Sequence, residues 1–223
     1  MDSAMVHQET DKVNNPGASI FARGIALQRL KAGPVQEFSP ISGRARQVLA
    51  IGAEAGCLTR RAVVTALDCG TLAATGTLKN LSRAGLLDTV NVITDSSFFK
   101  LWVAGRQWLP ATAQDACRMA ILALFYALAR REVPEFGWRI LRNSQHPPMA
   151  EMTFKGKAGC ERWVIDAPRR GENPAPRADL YIFPTRDDAL ALTPEGKRYT
   201  NDLAVLSCRR GELRVVYEKK RVD

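Results

Sequence analysis

The spacing of apolar residues along this chain changes from one region to the next. From residue 42 to 87 they recur every three or four positions, which is typical of amphipathic helices. Residues 86–105 instead alternate apolar and polar side chains, as strands do. Residues 112–132 are apolar on most sides, and short apolar runs follow after residue 134. The pattern predicts an α+β protein.

The helical region divides into three predicted helices, over 42–56, 59–70 and 72–87. Each begins after a residue that can cap a helix and ends at a glycine. The predicted pairs of capping and ending residues are Ser42 with Gly56, Thr59 with Gly70, and Thr71 with Gly85. The connections are only a few residues long, which favours a closely packed helical cluster.

Two further elements frame this cluster. After Gly85, the alternating runs with Asp95-Ser96-Ser97 between them predict a β-hairpin over 86–105. Before it, residues 1–17 are polar and predict a tail. Residues 18–33 carry apolar side chains at helical spacing and predict a short amphipathic helix.

The segment 112–132 predicts a long helix that must be covered on most sides, because its apolar residues exceed the stripe of a surface helix. We expect it to dock the two halves of the chain together or to join two copies. The predicted strands that follow span 138–141, 149–154, 162–167, 178–183, 203–207 and 213–218, with a polar loop at 168–177 and an exposed hairpin or helix within 186–202. The predicted organisation is a segment 1–40, a domain 41–111 and a domain 112–223.

Charge and cysteine content narrow the class of protein. The formal net charge is +9 and the isoelectric point about 9.6, which favours an anionic partner such as nucleic acid. Residues 41–111 hold eight cations and four anions. Five dispersed cysteines without a CxxC pair, and no secretory signal, predict reduced thiols and a cytoplasmic location. The apolar run 119–129 is too short to cross a bilayer, so we expect no membrane association.

The third predicted helix has a polar side opposite the side that is expected to be buried. Ala74, Leu78, Leu81 and Leu86 can line its buried side. The opposite side then holds Thr75, Gly76, Lys79, Asn80 and Arg83. Cations of this kind contact phosphates or guanine, asparagine can pair with adenine, and small residues allow close approach of the backbone. These residues predict a surface that faces DNA.

Three short helices followed by a hairpin resemble the winged helix-turn-helix superfamily, over residues 42–105. "TRRAVVTAL" looks like its second helix, "DCGT" like its turn, "LAATGTLKNLSRAGLL" like its recognition helix and "VNVITDSSFFKLWVAG" like its wing. The resemblance implies binding of duplex DNA in the major groove. It adds to the expected DNA surface Arg60 and Arg61 in the second helix, and Ser96, Ser97 and Lys100 in the wing.

The second half, 112–220, is loosely similar to the restriction-endonuclease-like domain of mobile-element replication-relaxation proteins. A nuclease of that type needs two carboxylates and a lysine together, for which the candidates are Asp179, Glu218 and Lys220. Their spacing is long and their motif incomplete, so we predict no catalytic residue, no metal and no cofactor.

The sequence therefore predicts a DNA-binding protein, acting as a transcriptional regulator or as an accessory factor of a mobile element, such as a plasmid. Its expected partners are duplex DNA and either a second copy of the chain or a larger nucleoprotein complex. The alternative is an assembly subunit whose winged helix docks on such a complex without reading sequence. A nuclease is the least favoured reading.

Overall fold

The chain folds as an α+β protein. The computed structural model describes residues 19–30, 41–143, 146–156, 159–208 and 216–219. Within those residues the helices are α1 (Gly43–Ala55), α2 (Arg60–Leu67), α3 (Thr71–Arg83), α4 (Ala113–Glu132), α5 (Arg186–Leu192) and α6 (Asp202–Ser207). The strands are β1 (Gly24–Leu30), β2 (Cys57–Leu58), β3 (Asp88–Thr94), β4 (Phe98–Val103), β5 (Gly137–Asn143), β6 (His146–Gly156), β7 (Gly159–Asp166), β8 (Leu180–Phe183), β9 (Arg198–Asn201) and β10 (Tyr217–Glu218). The tail predicted for 1–17 lies outside the described residues.

The caps of the three helices follow the sequence in part. The side chains of Ser42 and Thr59 accept backbone N–H groups at the starts of α1 and α2, as predicted. The prediction that Thr71 caps α3 is wrong, since Gly70 takes that position and Thr71 is the first helical residue. The prediction that Gly70 ends α2 is also wrong. Asp68 adopts a left-handed conformation there, with φ of 48°, which its short polar side chain tolerates.

A four-stranded antiparallel sheet in the order β1-β3-β4-β2 packs beside these helices. The predicted hairpin is β3 and β4, joined by a turn at residues 95–97. The predicted amphipathic helix over 18–33 is wrong in its described part, because β1 occupies 24–30 and pairs with β3. Ile25 is 55% exposed, so hydrogen bonding to the open edge of β3 decides the conformation here, not burial of apolar residues.

The long helix α4 forms the centre of the molecule. A capping box of Thr112 and Asp115 begins it, and nearly every residue from Ala113 to Ala129 is buried. It packs against α2, β1, β2 and β3 on one side and β6 on another, so one hydrophobic core runs from Phe21 to Cys208. Both halves of the chain thus cover α4 themselves. Its apolar surface gives no argument for a second copy, and the dimer stays a prediction.

The six-stranded sheet has the order β10-β9-β8-β7-β6-β5. Strands β5, β6 and β7 are antiparallel, and β7, β8 and β9 are parallel. The strand predicted over 203–207 is wrong, because α6 occupies this segment after Asn201 caps it. Of the strand predicted over 213–218, residues 213–215 lie outside the described part, and β10 forms at 217–218. The segment 186–202 holds α5 and β9.

A buried arginine ties the start of the described chain to its second half. Arg169 is fully buried and donates to the carbonyl oxygens of Phe21 at 3.1 Å and Ile182 at 2.6 Å. It also pairs with Asp202 at 2.8 Å, and Asp202 accepts a further hydrogen bond from Ser19. Burial raises the pKa of Asp202 above its ordinary value, although Arg169 and Ser19 act in the opposite direction. The polar loop predicted at 168–177 therefore carries an interior residue.

Candidate nucleic-acid interface

The helix α3 has one buried side and one exposed side. Ala74, Leu78 and Leu81 are buried against the rest of the helical cluster. The exposed side carries Leu72, Gly76, Lys79, Asn80 and Arg83, and the spacing of these residues places them together on a helix. We call these five residues the α3 face.

Three long polar side chains of the α3 face are available to a partner. Within the described part of the chain, no ion pair and no side-chain hydrogen bond engages Lys79, Asn80 or Arg83. The helix itself has no acidic residue. The two cations therefore keep their charge unneutralised by a neighbour on α3, and the amide keeps its donors and its acceptor.

Gly76 lies in the middle of the α3 face without a packing reason for being glycine. A Cβ added there would meet no other atom within 4 Å. Gly52 of α1 is a contrast, since its Cβ would lie 3.2 Å from both Ala104 and Leu58. Glycine inside a helix costs about 0.5–1 kcal/mol relative to alanine. Packing among the described residues therefore gives no reason for glycine at this position.

Leu72 is the functional candidate that sequence reasoning missed. It is 89% exposed, more than any other large apolar residue in the described part of the chain. Its position four residues before Gly76 was the available signal, because that spacing places both on one side of a helix. An exposed leucine on a helix that enters DNA can contact the methyl group of thymine.

The hydroxyl of Thr75 is used inside the helix. It donates to the carbonyl oxygen of Thr71 at 2.8 Å, and Thr77 does the same to Ala73 at 2.9 Å. Thr75 was predicted among the DNA-facing residues. Its hydroxyl hydrogen is already engaged, so the side chain can offer a partner its methyl group and its oxygen as an acceptor.

A small cleft opens beside the first residue of α3. Thr71, Phe98 and the three cations Arg60, Arg61 and Lys100 are among its lining residues, and its volume is about 90 Å³. The structure thus brings together the predicted cations of the second helix and the hairpin. Arg61 also donates to the carbonyl oxygen of Leu206 at 3.0 Å, so one of the three is anchored on α6.

The hairpin turn is braced from two directions. Within the turn, the Thr94 amide donates to the Ser97 carbonyl at 2.8 Å, and the Ser97 amide donates to the Thr94 hydroxyl at 3.0 Å. Outside it, Arg170 pairs with Asp95 at 3.5 Å. The predicted contact residues Ser96 and Ser97 are half-buried. They belong to a fixed turn whose Ser97 amide is not available to a phosphate.

The residues considered for nuclease chemistry have other contacts. Asp179 accepts the Val164 amide at 2.9 Å and lies 3.3 Å from the Lys197 ammonium. Glu218 belongs to the short strand β10, and Lys220 is outside the described residues. Across the described ranges there is no group of three or more metal-binding side chains, and no helix is long and apolar enough to span a membrane.

Comparison with protein-family models, with curated proteins and with solved structures gives no match for this chain. The case for a function rests on the geometry of the α3 face and its surroundings.

Proposed function

We propose that the chain binds duplex DNA by inserting the α3 face into the major groove. The observation that carries this proposal is a helix face whose two cations and one amide have no partner among the described residues, together with a glycine that packing does not require. Each of these features is costly or idle in the isolated protein and useful against a nucleic acid.

The order of elements around α3 supports a winged helix-turn-helix arrangement. The chain runs α1-β2-α2-α3-β3-β4, and the short strand β2 pairs with β4 beside β3. In such an arrangement α2 and the turn position α3, and the β3–β4 hairpin is the wing. With 13 residues, α3 is about 20 Å long, and a helix of that kind fits the roughly 12 Å wide major groove.

The α3 face has side chains that can recognise bases and side chains that can hold the phosphate backbone. Asn80 can pair with the adenine edge, and Leu72 can contact a thymine methyl group. Lys79 and Arg83 can contact phosphates or guanine. Arg60, Arg61 and Lys100 line the cleft beside Thr71, the first residue of α3, and cationic side chains at such a place can contact a phosphate. On this basis the protein acts in the cytoplasm as a transcriptional regulator or as an accessory factor of a mobile element.

One observation favours a second candidate, a subunit that docks on a nucleoprotein complex. Leu72 of the α3 face is 89% exposed, and Phe98, which lines the cleft with the three cations, is 43% exposed. Exposed apolar groups are a feature of protein interfaces. A docking subunit would use the same surface without discriminating between DNA sequences.

Equilibrium binding to duplex DNA, single-stranded DNA and RNA across a range of salt concentrations separates the two. For DNA binding we expect the logarithm of affinity to fall linearly with log salt, with a slope of about −3 to −4 for four phosphate contacts. Selection from random duplexes should then return a preferred site bound at least about 1,000-fold more tightly than bulk duplex. Equal, weak binding to all three nucleic acids would contradict the proposal and favour the docking subunit.

A further inference from the structure

A second concave site lies beside the start of β6, and its lining residues do not overlap with those of the cleft beside α3. It has a volume of about 480 Å³, and sites that hold small organic molecules have volumes of about 300–1,000 Å³. His146, Pro147 and Met149 of β6 form one wall, and residues 173–177, which lead towards β8, form another. The cavity is therefore large enough for a small organic ligand.

The wall formed by residues 173–177 is held in place by hydrogen bonds. The Ala175 amide donates to Asp166 at 2.7 Å, and the Ala175 carbonyl oxygen accepts the Tyr181 hydroxyl at 2.8 Å. Pro174 and Pro176 stand on either side of Ala175, and their rings fix their own backbone φ angles. Such a wall loses little conformational freedom when a ligand binds, which favours binding.

Two carboxylates near the cavity are already paired. Asp166 is 1% exposed and binds directly to Arg118, which also lines the cavity and is 2% exposed. Glu172 accepts one hydrogen bond from the Arg118 guanidinium at 2.7 Å and another from the Arg169 amide at 2.7 Å. Neither carboxylate is left free for a cationic ligand, and the positive charge of Arg118 is offset as well.

The polar groups that remain available lie at the surface of the cavity, and most of them are donors. Arg177 and Asn173 line the cavity and are exposed. Across the described ranges, neither side chain makes an ion pair or a hydrogen bond. The guanidinium has five N–H donors and a permanent positive charge, and the amide has two donors and one acceptor. His146 also lines the cavity, and its imidazole has an N–H donor in both protonation states, so it is compatible with an anion.

Charge and shape together select the ligand. A carboxylate pairs with a guanidinium through two parallel hydrogen bonds. An ammonium group would instead be repelled by Arg177 and would find Asp166 and Glu172 engaged. The apolar walls, which include Pro147 and Met149, favour a ligand whose body is hydrocarbon.

We propose that this cavity binds a small amphipathic anion, with its carboxylate on Arg177 and its apolar rings against the proline and methionine walls. The inference does not depend on DNA binding, because none of the cavity's residues belongs to the α3 face.

Three naphthalene derivatives of similar size test the charge of the ligand. The anion is 2-naphthoate, its neutral analogue is 2-naphthamide, and the cation is 2-naphthylmethylammonium. For the wild-type protein we expect a Kd of about 1 mM or lower for naphthoate. We expect about fivefold weaker binding of the amide, which lacks the charge-assisted hydrogen bonds, and still weaker binding of the cation. Equal or tighter binding of the amide or the cation would overturn the choice of an anion.

Nuclear magnetic resonance of ¹⁵N-labelled protein follows these titrations and locates the ligand. We expect saturable shifts of the backbone amide signals of Met149, Asn173, Ala175 and Arg177 on addition of naphthoate. Shifts scattered over the surface, or confined to the α3 face, would overturn the location.

Variants separate the charge from the cavity. Arg177→Gln keeps a polar side chain but removes the charge, so it should weaken naphthoate binding about fivefold and leave naphthamide binding within about twofold. Met149→Trp narrows the cavity and should weaken both about tenfold. Arg46→Gln makes the same exchange at an exposed position of α1 outside the cavity, and should change neither.

The exposed position of Arg177 makes Arg177→Gln the decisive variant, since it should fold even if Met149→Trp does not. Circular dichroism checks the folding of each variant. A folded Arg177→Gln protein that binds naphthoate as tightly as the Arg46→Gln control would overturn the proposal, and so would wild-type affinity for both ligands in a folded Met149→Trp protein.

Discussion

At the scale of single residues, Gly76 is a glycine that the fold does not require and that a closely bound partner would require. Every feature of its surroundings permits a larger side chain, since a Cβ there would meet nothing within 4 Å. Selection for stability alone would therefore favour alanine at this position. The proposal that α3 approaches DNA closely gives the missing reason for glycine, and it makes stability and binding respond in opposite directions to one substitution.

Gly76→Ala should raise the free energy of unfolding by about 0.5–1 kcal/mol, because alanine has the higher helix propensity. The same substitution should weaken duplex binding, because the new methyl group stands between the helix backbone and the DNA. Urea denaturation and a binding titration on one protein preparation measure both effects. If the variant is more stable and binds duplex as tightly as the wild type, Gly76 does not lie in the DNA interface.

On α3, the sequence predicted which side chains are exposed wherever helix spacing alone decides exposure. Lys79, Asn80 and Arg83 were predicted on the open side of the helix, and they are exposed. Leu72 was missed, because an apolar residue in a helix is expected in the core. The hydrogen bond that the Thr75 hydroxyl donates within α3 could not be predicted either. A threonine hydroxyl in a helix can donate to the preceding turn or to a partner, and the sequence does not distinguish the two.

At the scale of elements, the strand β1 shows how tertiary contacts override a local pattern. Residues 18–33 have apolar side chains at helical spacing, yet residues 24–30 complete a sheet with β3. Gly24 makes this possible by lying directly against the start of α4, where a Cβ would come within 2.2 Å of the Ala113 carbonyl oxygen. The sequence could not reveal this approach, because it joins segments about ninety residues apart.

Gly24→Ala should lower the free energy of unfolding by about 1–3 kcal/mol, since a methyl group cannot fit against the Ala113 backbone without displacing β1 or α4. Gly43→Ala is the matched control, because its added Cβ would meet nothing within 4 Å in the first turn of α1. Thermal denaturation of both variants measures the difference. Equal stability of Gly24→Ala and the wild type would contradict the close contact between β1 and α4.

At the scale of the whole molecule, interior charges hold distant parts of the chain together. The sequence predicted 168–177 as a polar loop, and nothing local distinguishes its arginines from each other. The fold makes Arg169 a fully buried tie to Phe21, Ile182 and Asp202, while its neighbour Arg170 is 44% exposed. Long-range contacts decide which of two adjacent arginines is interior, so sequence alone could not.

Arg169→Met should lower the free energy of unfolding by about 3–5 kcal/mol, because it leaves Asp202 buried without its charge partner. Arg170→Ala removes a surface ion pair with Asp95 and should change the free energy of unfolding by less than about 1 kcal/mol. In the double variant Arg169→Met, Asp202→Asn, the loss should be smaller than in Arg169→Met alone. Urea denaturation with circular dichroism measures all three, and equal effects at 169 and 170 would refute the role of Arg169.

The central claim is that the α3 face binds duplex DNA, and one comparison tests it most directly. The triple variant Lys79→Ala, Asn80→Ala, Arg83→Ala removes two positive charges from α3 and also the Asn80 amide, which is proposed to pair with adenine. The control Arg139→Ala, Arg162→Ala also removes two charges, at residues 66% and 63% exposed on the six-stranded sheet. Fluorescence anisotropy with labelled duplex across a salt series measures both.

We expect the triple variant to bind duplex about 100-fold more weakly than the wild type, and to reduce the magnitude of its log–log salt slope by about 2, one unit for each lost phosphate contact. The control has the same net charge as the triple variant, so both lose the same general attraction between a basic protein and DNA. Because neither Arg139 nor Arg162 belongs to the α3 face, the control should stay within about threefold of the wild type. A folded triple variant that binds duplex as tightly as the control would contradict the account.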